Sequence, residues 1–366
     1  MVFLALLAGR THARAAALLL RFESSGPASG AATYDAHDVT EEDGVLDTVR
    51  GQVKTRTYIP KGIPSPPAIV IAHGVHHTGI TEPRLQKFSR ALASAGVMVY
   101  TPELTGLTDY RIDTASEEVI GAAAHALAVR ANRTGVGVVG LSFGGGLSML
   151  AAADPRWAPD ISFVVAIGAH DDLPRVARFF FDNHIARPDG SIFELGAHDY
   201  GAMVLVYGNV ERFFPAIDVP TAKEALKYWL WEDPKKAREV AANLSTESRE
   251  KIEKLFSRKT EELKPDLMRL VDLSEPAMRL VSPHDNLRGL RVPVFLLHGA
   301  GDTVIPSSET LWLAHDVPDG CVQNALVSPA LVHVELEGKP SVADQWDLVH
   351  FMAQIIEQAE LETPRY

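Results

Sequence analysis

One cysteine, Cys321, in a chain of 366 residues has no partner within the chain. An internal disulfide framework is excluded, and such thiol usage suits a reducing compartment. Positive charge is also scarce. Lysine and arginine number 35 against 47 aspartates and glutamates, a net charge of −12. An acidic surface repels phosphate backbones and anionic lipid, which argues against nucleic-acid partners and polybasic membrane attachment. No apolar run approaches the roughly 20 residues a membrane-spanning helix needs. Residues 2–8 are apolar but lack a preceding basic residue; Arg10 and Arg14 follow, and residues 15–20 are apolar again. That order lacks the basic start of a secretion signal. It predicts an amphipathic helix packed on the body of the protein or on a partner, with a cytoplasmic location. Secretion, or attachment to a membrane surface through this segment, stays open. No internal repeat is visible.

What the chain does have is apolar content, 46%, enough for one large domain with an insertion or for two domains. Short apolar runs at 68–72, 97–100, 136–139, 163–167 and 292–297 read as strands buried on both faces of a parallel sheet. They alternate with helical patterns at 81–95, 114–131 and 147–153, the first capped by Thr81, the second opened by a capping box at Thr114-Ala-Ser-Glu117. Residues 49–59 alternate as a strand with one wet face, paired in a hairpin with residues 37–42. The rhythm stops between 173 and 287, where helical patterns carry a concentration of aromatics, Phe179 to Phe181 and Tyr228 to Trp231 among them. The predicted class is α/β, a doubly wound, mainly parallel sheet with a helical insertion. The division is 1–33 for the N-terminal helix and linker, 34–172 and 288–366 for the two parts of the core, and 173–287 for a helical cap.

The stretch that organises the rest is Gly140-Leu-Ser142-Phe-Gly144. Five apolar or glycine residues precede it and a helical pattern follows. Gly-x-Ser-x-Gly alone is a weak signal, but strand, sharp turn and helix around it predict a serine held in a strained backbone at the apex, its hydroxyl clear of the sheet. A serine hydroxyl is a poor nucleophile at neutral pH. It needs a base within hydrogen-bond reach and a third group to orient that base. The chain offers Asp302, after a strand and a glycine-rich turn, and His333, in a loop after the last strand, in the order Ser, Asp, His. Competitors are His350, inside the final helix, as base, and Asp171 or Asp172, after the strand at 163–167, as acid or as pocket lining. The oxyanion of an acyl-transfer intermediate needs two aimed amides. Phe143 N–H, at a helix start, is one candidate, and Val75 N–H, after His73-Gly74, the other. His73, His76 and His77 lack the spacing of a zinc hydrolase, so neither metal nor cofactor is expected. His73, His76, His198 and Tyr200 are candidate pocket residues.

His73-Gly74, Gly140-Leu-Ser142-Phe-Gly144, Leu296-Leu-His298-Gly-x-x-Asp302 and His333 together resemble the α/β-hydrolase superfamily. The resemblance runs from about residue 49 to the C-terminus, outside the insertion. It implies Ser142 as nucleophile, Asp302 as acid, His333 as base, and an oxyanion hole from the Val75 and Phe143 amides. The nearest group is that of esterases, serine peptidases and dienelactone-hydrolase-like enzymes. Dienelactone hydrolases proper carry a cysteine where Ser142 stands, and the His-Gly-Gly-Gly loop of lipases is absent. The expected activity is hydrolysis of a carboxylic ester, a small molecule. The alternatives are a peptidase or amidase acting on a short peptide with the same triad, and a hydrolase-fold binding protein without turnover. Neither oligomeric state nor the substrate's identity follows from these residues.

Overall fold

The computed structural model describes residues 2–24, 29–332, 335–336 and 341–361, with backbone alone at 2–8, 332 and 335–336. The core is an eight-stranded sheet. Its strands are β1 (Val39–Thr48), β2 (Gly51–Pro60), β3 (Ala68–Ala72), β4 (Met98–Pro102), β5 (Val136–Leu141), β6 (Ile161–Ile167), β7 (Val294–Gly299) and β8 (Val322–Ser328), in the order β1-β2-β4-β3-β5-β6-β7-β8. β1 and β2 form an antiparallel hairpin, and β2 joins β4 antiparallel; β4 and all later strands run parallel. The sheet is mainly parallel because its strands are buried on both sides. In β3, Ile69 and Ile71 pack on one face while Ala68, Val70 and Ala72 pack on the other, all fully buried.

Two helical layers cover those faces. On one lie α1 (Val2–Glu23), α2 (Pro83–Ser94) and the final helix. On the other lie α3 (Thr114–Ala131) and α4 (Phe143–Ala153). Leu85, Phe88 and Leu92 form the buried stripe of α2; each buried side chain of this size contributes about 1.5–3 kcal/mol. Helix starts depart from the sequence expectation by one residue. The Glu82 carboxylate, not Thr81, caps α2 by accepting from Leu85 N–H, and Asp113 caps α3 by accepting from Ser116 N–H. In both, a longer or earlier carboxylate outcompetes the hydroxyl that the pattern singles out. Tyr58, on the same face of β2 as Lys54 and Arg56, is fully buried because α2 covers it.

Between β6 and β7 the chain forms the helical insertion: α5 (Leu173–Asp182), α6 (Tyr200–Gly208), α7 (Val219–Leu230), α8 (Pro234–Ala241), α9 (Thr246–Phe256) and α10 (Lys264–Arg279). It has its own core, built on residues such as Phe181, Met203, Leu226, Phe256 and Leu267. Two departures matter. The helical pattern expected of this region does not run unbroken through residues 245–271: it forms two helices, α9 and α10, with a break near Arg258, whose φ of +61° no helix accommodates. A short hairpin, His184–Ala186 with Ile192–Glu194, lies within the insertion and was not expected; its second strand is exposed. After β7 come α11 (Ser308–Asp316), β8 and α12 (Val342–Glu360). Among the described residues no helix is long and apolar enough to cross a membrane.

Candidate active site

Loops at the carboxyl ends of four strands supply the site, the edge where open α/β sheets bind ligands. β3 runs into His73-Gly74-Val75, β5 into Ser142, β6 into His170-Asp171-Asp172, and β7 into the turn bearing Asp302. His333, after β8, lies outside the described residues.

Ser142 sits between β5 and α4 with φ +54° and ψ −130°. A non-glycine residue there stores roughly 1–3 kcal/mol of strain. The surroundings hold it. Ser142 N–H donates to Ile167 O at 2.8 Å, continuing the β5–β6 ladder, and Ser142 O accepts from Gly145 N–H at 2.8 Å, closing the first turn of α4. The turn is tight enough that a Cβ on Gly144 would lie 2.5 Å from His73 O. The loop after β3 lies against the serine itself: a Cβ on Gly74 would be 3.0 Å from Ser142 Cβ. Phe143 N–H belongs to the first turn of α4, where helix amides have no intrahelical acceptor.

His73 is a strut for that loop. Its Nδ1–H donates to Gly74 O at 2.7 Å and its Nε2 accepts from Leu104 N–H at 2.9 Å. This is the neutral ring. Burial pushes its pKa down to about 4, with only partial compensation from the Gly74 carbonyl. Because the folded value lies below the ordinary 6.5, the stability from this group is full above pH 6.5 and is lost as pH falls toward 4. Urea unfolding should show wild-type stability declining across that window, and His73→Asn should flatten the decline. An identical slope in the variant would remove His73 from this role. Tyr200, from α6, braces the same loop by donating its hydroxyl to Val75 O at 3.0 Å. His76 Nδ1 accepts from the Thr78 hydroxyl at 2.6 Å.

Asp302 is fully buried, and its Oδ1 accepts from Val304 N–H at 2.8 Å and Ile305 N–H at 3.0 Å. His298, at the end of β7, stands behind it. His298 Nε2–H donates to Ile305 O at 2.9 Å, with Asp302 Oδ2 3.4 Å away, and Nδ1 accepts from the Thr310 hydroxyl at 2.7 Å. Turn amides and a fixed imidazole therefore hold the carboxylate at the edge. His198 is exposed; its N–H donates to Thr303 O at 2.8 Å, tying the insertion to the Asp302 turn.

Asp171 and Asp172 belong to a different arrangement, which sequence reasoning missed. Their N–H groups both donate to Glu309 Oε2 at 2.9 Å. Arg175 Nε donates to Glu309 Oε1 at 2.6 Å, and Arg175 Nη2 to Asp171 Oδ2 at 2.9 Å. His284 Nδ1 lies 2.5 Å from Asp316 Oδ2 and 3.6 Å from Asp171 Oδ2. Burial first, then Glu309, raises the Asp171 carboxyl to about 7. Asp171, His284 and Asp316 bring three ligand-type atoms within 4.8 Å of one another, the only such group among the described residues. The hydrogen bonds just given already engage those atoms within the protein. Arg175, held over the Trp312 ring at 4.6 Å, is the cation shared by the Asp171 and Glu309 side chains, both 0% exposed. Arg175→Met should therefore destabilise the fold by about 3–5 kcal/mol, since it leaves buried charge unpaired. Chemical denaturation checks this; a loss under 1 kcal/mol would mean that the network contributes little.

Two cavities lie near this edge, and one of them is lined by Ser142. One, of about 150 Å³, reaches Ser142 beside His73, Gly74, Val75 and His76 and runs inward along Leu141, Ile167 and Leu297. The other, of about 530 Å³, lies between the insertion and the core, with Tyr110, Phe143, Phe180 and Tyr200 in its walls. Neither is lined by Asp171, Asp172 or His198. Strand order, crossover positions and the loops at the carboxyl edge now settle the architecture. The fold is that of the α/β hydrolases. Solved structures agree. An acylaminoacyl peptidase in complex with Z-Gly-Gly-Phe-chloromethyl ketone superposes with a TM-score of 0.53 at 12% identity, over 90% of this chain and 42% of that one. Pyrococcus horikoshii acylaminoacyl peptidase gives 0.50 at 13% identity, over 90% of this chain and 42% of that one. The chain thus spans less than half the length of these structures. No family model matches the sequence, and no curated protein does. Likeness at this identity extends to the hydrolase fold alone.

Proposed function

We propose that the chain is a serine hydrolase that cleaves a carboxylic ester through an acyl-enzyme on Ser142. The observation that carries this reading is the strained serine, φ +54°, at the strand-to-helix turn beside a cavity, with the Gly74 loop lying on it. A serine held in that conformation without chemistry to perform would be a cost with no return. In the reaction His333 takes the proton from the Ser142 hydroxyl as its oxygen attacks the ester carbonyl, and Asp302 orients the imidazole and stabilises its positive charge. The Val75 and Phe143 amides hold the oxyanion. His333 then protonates the departing alcohol, and water, deprotonated by the same ring, releases the acid and restores Ser142. The insertion serves as a cap that excludes bulk water from the larger cavity.

Of the charged groups in the larger cavity, Arg111 lies 3.3 Å from Asp109 and Asp113 caps α3, whereas Arg212 donates to the neutral Leu273 O and keeps its charge. A peptidase acting on a short peptide, with Arg212 meeting its carboxylate, is the second reading. The test is a comparison of matched aryl esters and anilides. Ester turnover with anilides slower by orders of magnitude is expected; anilide rates equal to or above the ester rates would favour the peptidase reading.

A further inference from the structure

The N-terminal helix contributes to the cavity at the serine. α1 is docked firmly: Leu18 is fully buried, Arg14 pairs with Glu360 of α12, and Arg14 Nη2 donates to Ala95 O at 2.8 Å. Two of its side chains, Leu19 and Phe22, are only half-buried in this packing and face the 150 Å³ cavity that begins at Ser142. Phe22 meets Phe88 of α2 edge-on, ring centroids 5.5 Å apart. With Leu85 and Met352 they form an apolar part of its lining. The charged lining residues, Glu82 and Arg84, pair with each other at 2.7 Å.

We infer that α1 sets the acyl-chain specificity of the site, with Leu19 and Phe22 closing an apolar acyl pocket of about six carbons. The inference rests on Ser142 being the nucleophile. The size follows from volume: an apolar cavity of about 150 Å³ accommodates a benzene-sized group. The chemistry follows from the lining. A carboxylate or ammonium carried among Leu19, Phe22, Leu85 and Met352 would meet apolar side chains alone, which is unfavourable. The substrate class is therefore an ester of an uncharged, short-to-medium alkyl or aryl carboxylic acid, and acyl groups with a charged tail are rejected.

The test measures the rate of Ser142 phosphonylation by ethyl, hexyl and decyl phosphonofluoridates on the full-length protein. The wild type should react at least tenfold faster with the hexyl than with the decyl reagent. Leu19→Trp should lower the hexyl rate at least tenfold and leave the ethyl rate unchanged, and Phe22→Ala should raise the decyl rate by a similar factor. An unchanged chain-length profile in both variants, with the ethyl reaction intact, would overturn the role of α1. So would loss of the ethyl reaction in both, because the helix would then support the fold rather than limit the chain. If the wild type does not react even with the ethyl reagent, the serine-hydrolase reading itself fails.

Discussion

Replacing Ser142 by alanine should abolish ester hydrolysis, lowering kcat by about 10⁶-fold, as removal of a triad nucleophile does elsewhere. The fold should survive. Alanine fits the space that serine occupies, and the contacts that hold residue 142 in its conformation, to Ile167 O and from Gly145 N–H, are made by the backbone. Alanine at φ +54° is as strained as serine, so stability should change by less than about 1 kcal/mol. Steady-state kinetics with thermal unfolding of the same preparation separates the two effects. Residual turnover above a few thousandths of wild type would mean that another group is the nucleophile.

Asp302→Asn should lower kcat by about 10⁴-fold with little change in KM. The amide oxygen can still accept from Val304 and Ile305 N–H, so the turn should keep its shape. What is lost is the negative charge that fixes the tautomer of the catalytic imidazole and stabilises its protonated form. Asp171→Asn is the control. Asp171 sits with Arg175 and Glu309 rather than in the lining of either cavity, and its replacement should alter stability more than rate. The opposite pattern, a mild Asp302 variant and an inactive Asp171 variant, would transfer the role of acid to the end of β6.

The sheet was readable because burial on both faces leaves a simple trace: continuous apolar runs such as Ile69-Val-Ile71 and Phe163-Val-Val-Ala-Ile167 have no wet side to encode. The conformation of Ser142 was readable for a related reason. Glycine at 144 is required where His73 O comes within 2.5 Å of a would-be Cβ, so local sequence reports local crowding. Other features depend on residues far apart in the chain. Arg175 and Glu309 are 134 residues apart, and nothing in the pattern around either announces a buried ion pair. Helix caps shifted by one residue because Glu82 and Asp113, next to the expected Thr81 and Thr114, are the side chains that accept from the first-turn amides. The N-terminal helix could be recognised as amphipathic, but Leu19 and Phe22 look like ordinary core positions until α2 and α12 are placed beside them.

The measurement that tests the central reading most directly is labelling of the intact protein with a small fluorophosphonate, the modified residue located by mass spectrometry. The label should fall on Ser142 alone, and His333→Ala should abolish it, because without its base the hydroxyl is no more reactive than any other serine. Label on a different residue, or none on folded protein, would contradict the assignment of Ser142 as an activated nucleophile.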